Sequence, residues 1–235
     1  NYDLYIFNRW GEVIFESHDV DFGWDKVYSF KEGEINHIHN IIPNVYRNCI
    51  YVLTGDSDGS SCIWEFSNNF KTRKLILGGN QLYRACVLFP TKKGFLYATD
   101  SPQNQNYIVN CVISKSEIKV NQVLKLEGSV IYGIENNKKY FFSTTVEPDS
   151  RKRGFRYLLS MSKAPGIKSN LVKLIAGDVK SGFNEIMSFQ KDSFPFALCQ
   201  FGAVGFLNLE MGKLLIHPIA VKSFDNKNIL ITIES

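Results

Sequence analysis

The residues with the most chemistry in them are acids placed just past apolar runs. Leu53-Thr54-Gly55-Asp56, Ala98-Thr99-Asp100-Ser101 and Ser143-Thr144-Thr145-Val146-Glu147 each close a run of β-forming residues on threonine and then a carboxylate, and the chain finishes Ile231-Thr232-Ile233-Glu234. Carboxylates brought to matching positions can work as general acid and base, hold the hydroxyls of a sugar, or share a cation. The competing role for each is to cap a turn and hold loop amides. Upstream of Asp56 stands His37-Ile38-His39. On an extended strand, alternation sends both imidazoles to one side. Two histidines and a carboxylate resemble a metal set, but no third fixed ligand is visible, and hydrogen bonding to a polar ligand or to the acids is the favoured role. Arg84, within Gly79-Asn80-Gln81-Leu82-Tyr83-Arg84, either pairs with these acids or receives a carboxylate or phosphate. Glu185 and Asn106 open later strands and are expected to turn the same way. The candidate set is therefore Asp56, Asp100, Glu147 and Glu185 for acid–base work, with His37, His39, Arg84 and Asn106 as ligand contacts. Tyr83, Tyr107 and Tyr132 offer stacking faces for sugar rings. Arg151-Lys152-Arg153, with Arg156 close by, is either a solvated loop or a docking point for an acidic ligand.

The elements that must position these residues are strands. Short β-branched and aromatic runs alternate with Gly, Asn, Asp, Ser and Lys clusters, and helical periodicity is nearly absent. The strand endings recur about every 45 residues, the length of a four-stranded propeller blade. The fold expected is an all-β propeller forming a single domain, with blades at 36–77, 83–126, 130–176 and 185–217. A fifth is shared between 220–235 and the N-terminal hairpin at 3–16, which closes the ring. In detail, the third blade takes Phe155–Met161 as its third strand and Leu171–Ile175 as its fourth, and the fourth blade opens on Glu185–Phe189. A fragment of a six- or seven-bladed propeller would also begin and end mid-blade. In such a ring the acids gather around one channel mouth, where a bound metal ion is a further option and no other cofactor is implied.

The bulk properties exclude several classes. A 44% apolar and 21% charged composition is that of an ordinary globular chain, not of a disordered tail or coiled coil. Twenty-seven basic against 23 acidic residues leave +4, too mild over this length to imply nucleic acid. The longest uncharged stretch, Phe194 to Leu209, is broken by Pro195, Gly202 and Gly205 and does not suit a membrane span. Five cysteines without short regular spacing predict buried free thiols, which favour a reducing compartment such as the cytoplasm. The chain opens on Asn1 rather than Met, so an upstream segment is expected.

His37-x-His39, Thr54-Gly55-Asp56, Gly79-x-Gln81-x-x-Arg84 and Thr99-Asp100-Ser101 together resemble the sialidase-like, BNR/Asp-box group of propellers. Ser67-Asn68-Asn69-Phe70-Lys71-Thr72 and Asn8-Arg9-Trp10-Gly11-Glu12-Val13 stand as degenerate forms of that group's Asp-box turns. The resemblance implies a propeller facing a glycan. A sialidase proper needs three arginines around the substrate carboxylate and a Tyr–Glu nucleophile pair. Arg84 alone sits on an axial strand, so sialidase activity is not carried over. Two functions remain: a glycoside hydrolase or lyase using two of the four acids, or a non-catalytic module that binds a carbohydrate, a small anionic ligand or a protein.

Overall fold

β-branched and aromatic runs separated by turn residues can satisfy their backbone groups only by pairing with one another, and the described residues do so. The structure, a computed structural model, describes residues 26–152, 159–196 and 200–233, together with the strand backbone of Ile6–Phe7 and Val13–Phe15. Among the described residues the regular elements are strands, apart from one 3-10 turn at Gln81–Tyr83, and no helix is long and apolar enough to cross a membrane. The chain divides into two compact units, Asn1–Ala85 and Cys86–Ser235.

The first unit holds a two-stranded pair, β1 (Ile6–Phe7) and β2 (Val13–Phe15), and an antiparallel sheet in chain order: β3 (His37–Asn44), β4 (Cys49–Gly55), β5 (Cys62–Ser67) and β6 (Thr72–Gly78). Asn48 and Asn68 turn the corners at φ of 48° and 53°, a left-handed conformation that asparagine tolerates better than most residues. One face of this sheet buries Val52, Trp64 and Phe66 beneath Phe30 and Ile35. The guanidinium of Arg73 lies 4.6 Å from the Trp64 ring centre and 2.6 Å from Glu34, closing that core from the solvent side.

The second unit contains three sheets. The first is β7 (Ala85–Thr91), β8 (Gly94–Thr99), β9 (Asn106–Ile113) and β10 (Ile118–Leu126). The second is β11 (Val130–Asn136), β12 (Lys139–Thr144), β13 (Leu171–Asp178) and β14 (Gly182–Gln190). The third has three strands, β15 (Ala203–Glu210), β16 (Lys213–Ile219) and β17 (Ile229–Thr232). Strand alternation decides how they stack. On β12, Phe142 faces Leu96, Ala98 and Ile108 of the sheet before it, whereas its neighbour Phe141 faces Val204, Leu214 and Ile216 of the sheet after it. Ile175 and Leu174 on β13 divide in the same way. The middle sheet is thus apolar on both faces, as a sheet sandwiched between two others must be. The all-β class is as read from the sequence, and four antiparallel sheets of three or four strands are consistent with a propeller-like fold.

The recurring threonine has a structural reason. Thr54, Thr99 and Thr144 end the second strand of the first three sheets and are buried. The Thr54 hydroxyl donates to the Ser60 carbonyl at 2.7 Å and accepts from the Trp64 indole at 3.2 Å. The Thr99 hydroxyl accepts the Tyr107 amide at 2.9 Å, and that of Thr144 accepts the Lys173 amide at 2.8 Å. Each hydroxyl therefore ties its strand end to the strand or loop that follows.

Two sheets differ from the sequence expectation. The third strand of the second unit's middle sheet is Leu171–Asp178, not Phe155–Met161, and the fourth is Gly182–Gln190, which was expected to open a new blade. The reason is the turn at 178–182. The Asp178 carboxylate accepts the amides of Lys180 and Ser181 at 2.7 and 3.0 Å, and Gly182 takes φ 88°, folding β14 straight back on β13. Between β12 and β13, Ala164 and Ile167 enter the core. Residues 153–158 of that connection, including most of the expected strand Phe155–Met161, lie outside the described residues. The last sheet is consequently built from 203–232, Ala220–Phe224 forms no strand, and β1 pairs with β2 as a sheet of its own. Five four-stranded blades are not formed as drawn from the sequence.

The thiols of Cys49, Cys62, Cys86 and Cys111 are free, and Cys199 lies outside the described residues. Burial pushes the Cys49 thiol up to about 11 and that of Cys111 to about 12, which makes them inert packing groups at neutral pH. Of the basic run, Arg151 and Lys152 are already partnered, and Arg153 and Arg156 lie outside the described residues. Arg151 forks onto the buried Asp149 through Nε and Nη2, both at 2.8 Å, and Lys152 donates to Ser162 at 2.7 Å. That fork, aided by the Arg151 amide, holds the Asp149 carboxyl down to about 2. A depressed carboxylate stabilises the fold above its unfolded pKa and loses that contribution as pH falls through the folded value. The stability gap between wild type and Asp149→Asn is therefore expected to stay constant above about pH 5 and to close as pH falls towards about 2, read from urea midpoints.

Candidate functional site

Four of the eight candidates meet at the end of the first unit's sheet. β3 opens on His37 opposite Gly55, and the pairing then slips between Ile38 and Asn40, leaving His39 as the extra residue of a β-bulge. Both rings still reach the same side, with centres 4.6 Å apart, and both point at Asp56, the first residue past β4. His37 Nδ1 lies 3.2 Å from Asp56 Oδ2, and His39 Nε2 lies 3.5 Å from Oδ1. From the 3-10 turn, Arg84 sets Nη2 3.0 Å from Oδ1 and Nη1 3.3 Å from the Asp56 carbonyl oxygen. The His39 side chain is 3% exposed and that of Arg84 16%, against 37% for His37 and 47% for Asp56. A buried ring and guanidinium thus support an acid and a ring that solvent reaches.

The support extends to residues to which the sequence reading gave no role. The Gln81 amide donates to the Asp56 carbonyl at 2.8 Å and to Ser61 Oγ at 3.3 Å, so the Gly-x-Gln-x-x-Arg spacing delivers two side chains to one loop. Asn36 Oδ1 accepts from the Ser57 hydroxyl at 2.9 Å and from that of Ser60, fixing the loop that carries Asp56. Gly55 leaves room for His39: a Cβ there would come within 2.6 Å of the ring Nε2. The hydrogen bond from His39, then the charges of Arg84 and His37, hold the Asp56 carboxyl below the usual aspartate range against the opposing effect of its partial burial.

The other four candidates lie in the second unit and do different work. Asn106 is fully buried and spent on its own turn: Oδ1 accepts from Thr99 Oγ1 and the Ser101 amide, both at 2.8 Å, and Nδ2 donates to the Ser101 carbonyl at 2.9 Å. It is a clamp rather than a ligand contact. Asn106→Ala strands these groups in the interior and is expected to cost about 2–3 kcal/mol in chemical denaturation. Asp100 is buried, with the Cys86 thiol 3.4 Å from Oδ2. Glu147 accepts a hydrogen bond from the hydroxyl of Thr145 two residues earlier. Glu185 sits on β14, the fourth strand of its sheet, opposite Ile175. Its carboxylate lies 3.0 Å from the Lys173 ammonium, which Glu127 also meets at 2.9 Å. Neither Lys173 nor Glu127 stands in a recognisable motif, and their meeting follows only from the strand register that the sequence reading placed otherwise.

No family model, curated protein or solved structure matches the chain. Asp56, ionised and fed by three donors, is a hydrogen-bond acceptor with one side open to solvent. His37 adds a half-exposed ring able to donate or stack.

Proposed function

We propose that the chain is a non-catalytic, ligand-binding module of the sialidase-like propeller kind, its four sheets acting as blades. Its ligand is a carbohydrate or a small polar ligand received at His37 and Asp56. The observation that carries this reading is the Asp56 network. A glycosidase general acid must still hold a proton near neutral pH, which requires a raised pKa. Asp56 is pushed the other way by His39, Arg84 and His37. The anion-binding role foreseen for Arg84 is already taken, since its guanidinium meets the Asp56 carboxylate at 3.0 Å. A carboxylate so oriented, exposed over nearly half its side chain, suits two hydroxyls of a sugar, with the His37 ring beside it. Glu185, bound to Lys173, and Asn106, spent on its turn, bring nothing to such a site.

The test is capture against turnover on one panel of neutral and acidic oligosaccharides. The expected result is saturable retention of at least one glycan, weakened more than about tenfold by His37→Ala, with no new reducing ends released. Release of reducing ends that Asp56→Asn abolishes would make the site hydrolytic and overturn the proposal, as would failure to retain any glycan.

A further inference from the structure

The two imidazoles beside Asp56 are spaced for more than hydrogen bonds. A charge-assisted N–H···O contact settles at about 2.7–2.9 Å. The two imidazole-to-carboxylate separations here are 3.2 and 3.5 Å. Two ligand atoms on one tetrahedral zinc-like ion, each bonded at about 2.0–2.2 Å, stand about 3.4 Å apart. The observed pair of distances straddles that figure. All three ligand atoms, one from each of His37, His39 and Asp56, lie within 4.8 Å of one another. The half-exposed His37 ring is the one with room to close the remaining gap.

A second feature is independent of those distances. The other nitrogen of His39, Nδ1, lies 3.1 Å from the carbonyl oxygen of Ala85. With Nδ1 donating to that carbonyl, the ring is held with Nε2 facing Asp56, where a cation would take the place of the proton shared with the carboxylate, the outer-shell arrangement that orients metal-binding histidines. Arg84 contacts Oδ1, and Oδ2 turns towards His37. The guanidinium thus fixes the carboxylate while one oxygen still faces the space between the rings.

We propose that His37 Nδ1, His39 Nε2 and one carboxylate oxygen of Asp56 form a site for a divalent transition-metal cation of the zinc class, with a fourth position directed to solvent. Two imidazoles and a carboxylate suit zinc, cobalt or nickel and are a poor match to calcium or magnesium, which prefer all-oxygen shells. The site goes beyond the glycan reading and does not depend on it.

The experiment is calorimetric titration of Zn2+ into chelator-stripped, phosphine-reduced protein, paralleled by Co2+ binding followed in the visible spectrum. The expected result is one ion per chain, intense tetrahedral-type cobalt bands, and loss of affinity by more than about tenfold in both His37→Ala and His39→Ala. His217→Ala, outside the site, binds as wild type does. The His37 ring is the more exposed of the two, so His37→Ala keeps the test decisive if His39→Ala does not fold. Absence of saturable binding, or equal affinity in wild type and both histidine variants, overturns the proposal. Glycan retention measured in excess EDTA separates the two readings: retention without metal binding defeats only the cation site, and metal binding without retention defeats only the glycan reading.

Discussion

Phe142→Ala is expected to destabilise the second unit by about 3–5 kcal/mol, the largest effect of any single change considered. Its side chain is fully buried and is the point at which two sheets meet. Its ring centre lies 5.5 Å from that of Phe89 on the preceding sheet and 6.0 Å from that of Phe183 on β14. Alanine removes the apolar area and the edge contacts together, and the β-sheet backbone on both sides is too constrained to collapse into the void. Phe142→Leu, which keeps most of the volume, should cost well under half as much. Equal costs for the two would show that Phe142 is not packed between sheets. Equilibrium urea unfolding reads both.

Gly55→Ala is the second. The added methyl collides with a His39 ring whose side chain is only 3% exposed, so the ring cannot simply swing into solvent. Overpacking of this kind costs about 1–3 kcal/mol. The larger consequence is local. His39 is the first cause of the depressed Asp56 carboxyl, so displacing it should abolish glycan retention and metal uptake while the first unit stays folded. If Gly55→Ala retains ligand as wild type does, His39 is not part of the site.

How far the sequence revealed all this can be argued from particular residues. Thr54, Thr99 and Thr144 were legible because one physical need, a hydroxyl to accept a neighbouring strand's donor, recurs at the same point in three sheets. His37 and His39 were expected on one side by simple alternation, and they do share a side. They do so with His39 as the extra residue of a bulge, a local slip that no period-two pattern announces. The acids were read as equals because each follows the same ending. Their environments differ through contacts far along the chain, such as Lys173 for Glu185, which only strand register supplies. The register itself went astray where Phe155–Met161 offered an apolar run in place of the true pairing partner, Leu171–Asp178. Apolar content does not say whether a segment pairs as a strand: residues 155–158 lie outside the described residues, and Leu159 and Met161 are exposed. Asn106 was mistaken for a ligand contact because a polar residue opening a strand looks available, although its turn consumes both ends of the amide.

The proposed binding site depends on Asp56 being a fixed, ionised acceptor, and its carboxyl carbon reports this directly. The decisive measurement is a 13C NMR titration of chelator-treated protein, with the Asp56 resonance assigned by its absence in Asp56→Asn. The expected midpoint lies below the ordinary aspartate value of 3.8, and it should move upward in Arg84→Gln and His39→Ala. A midpoint at or above 3.8 in the wild type would show that the neighbouring donors do not hold Asp56 as a fixed acceptor, and would contradict the binding-module reading.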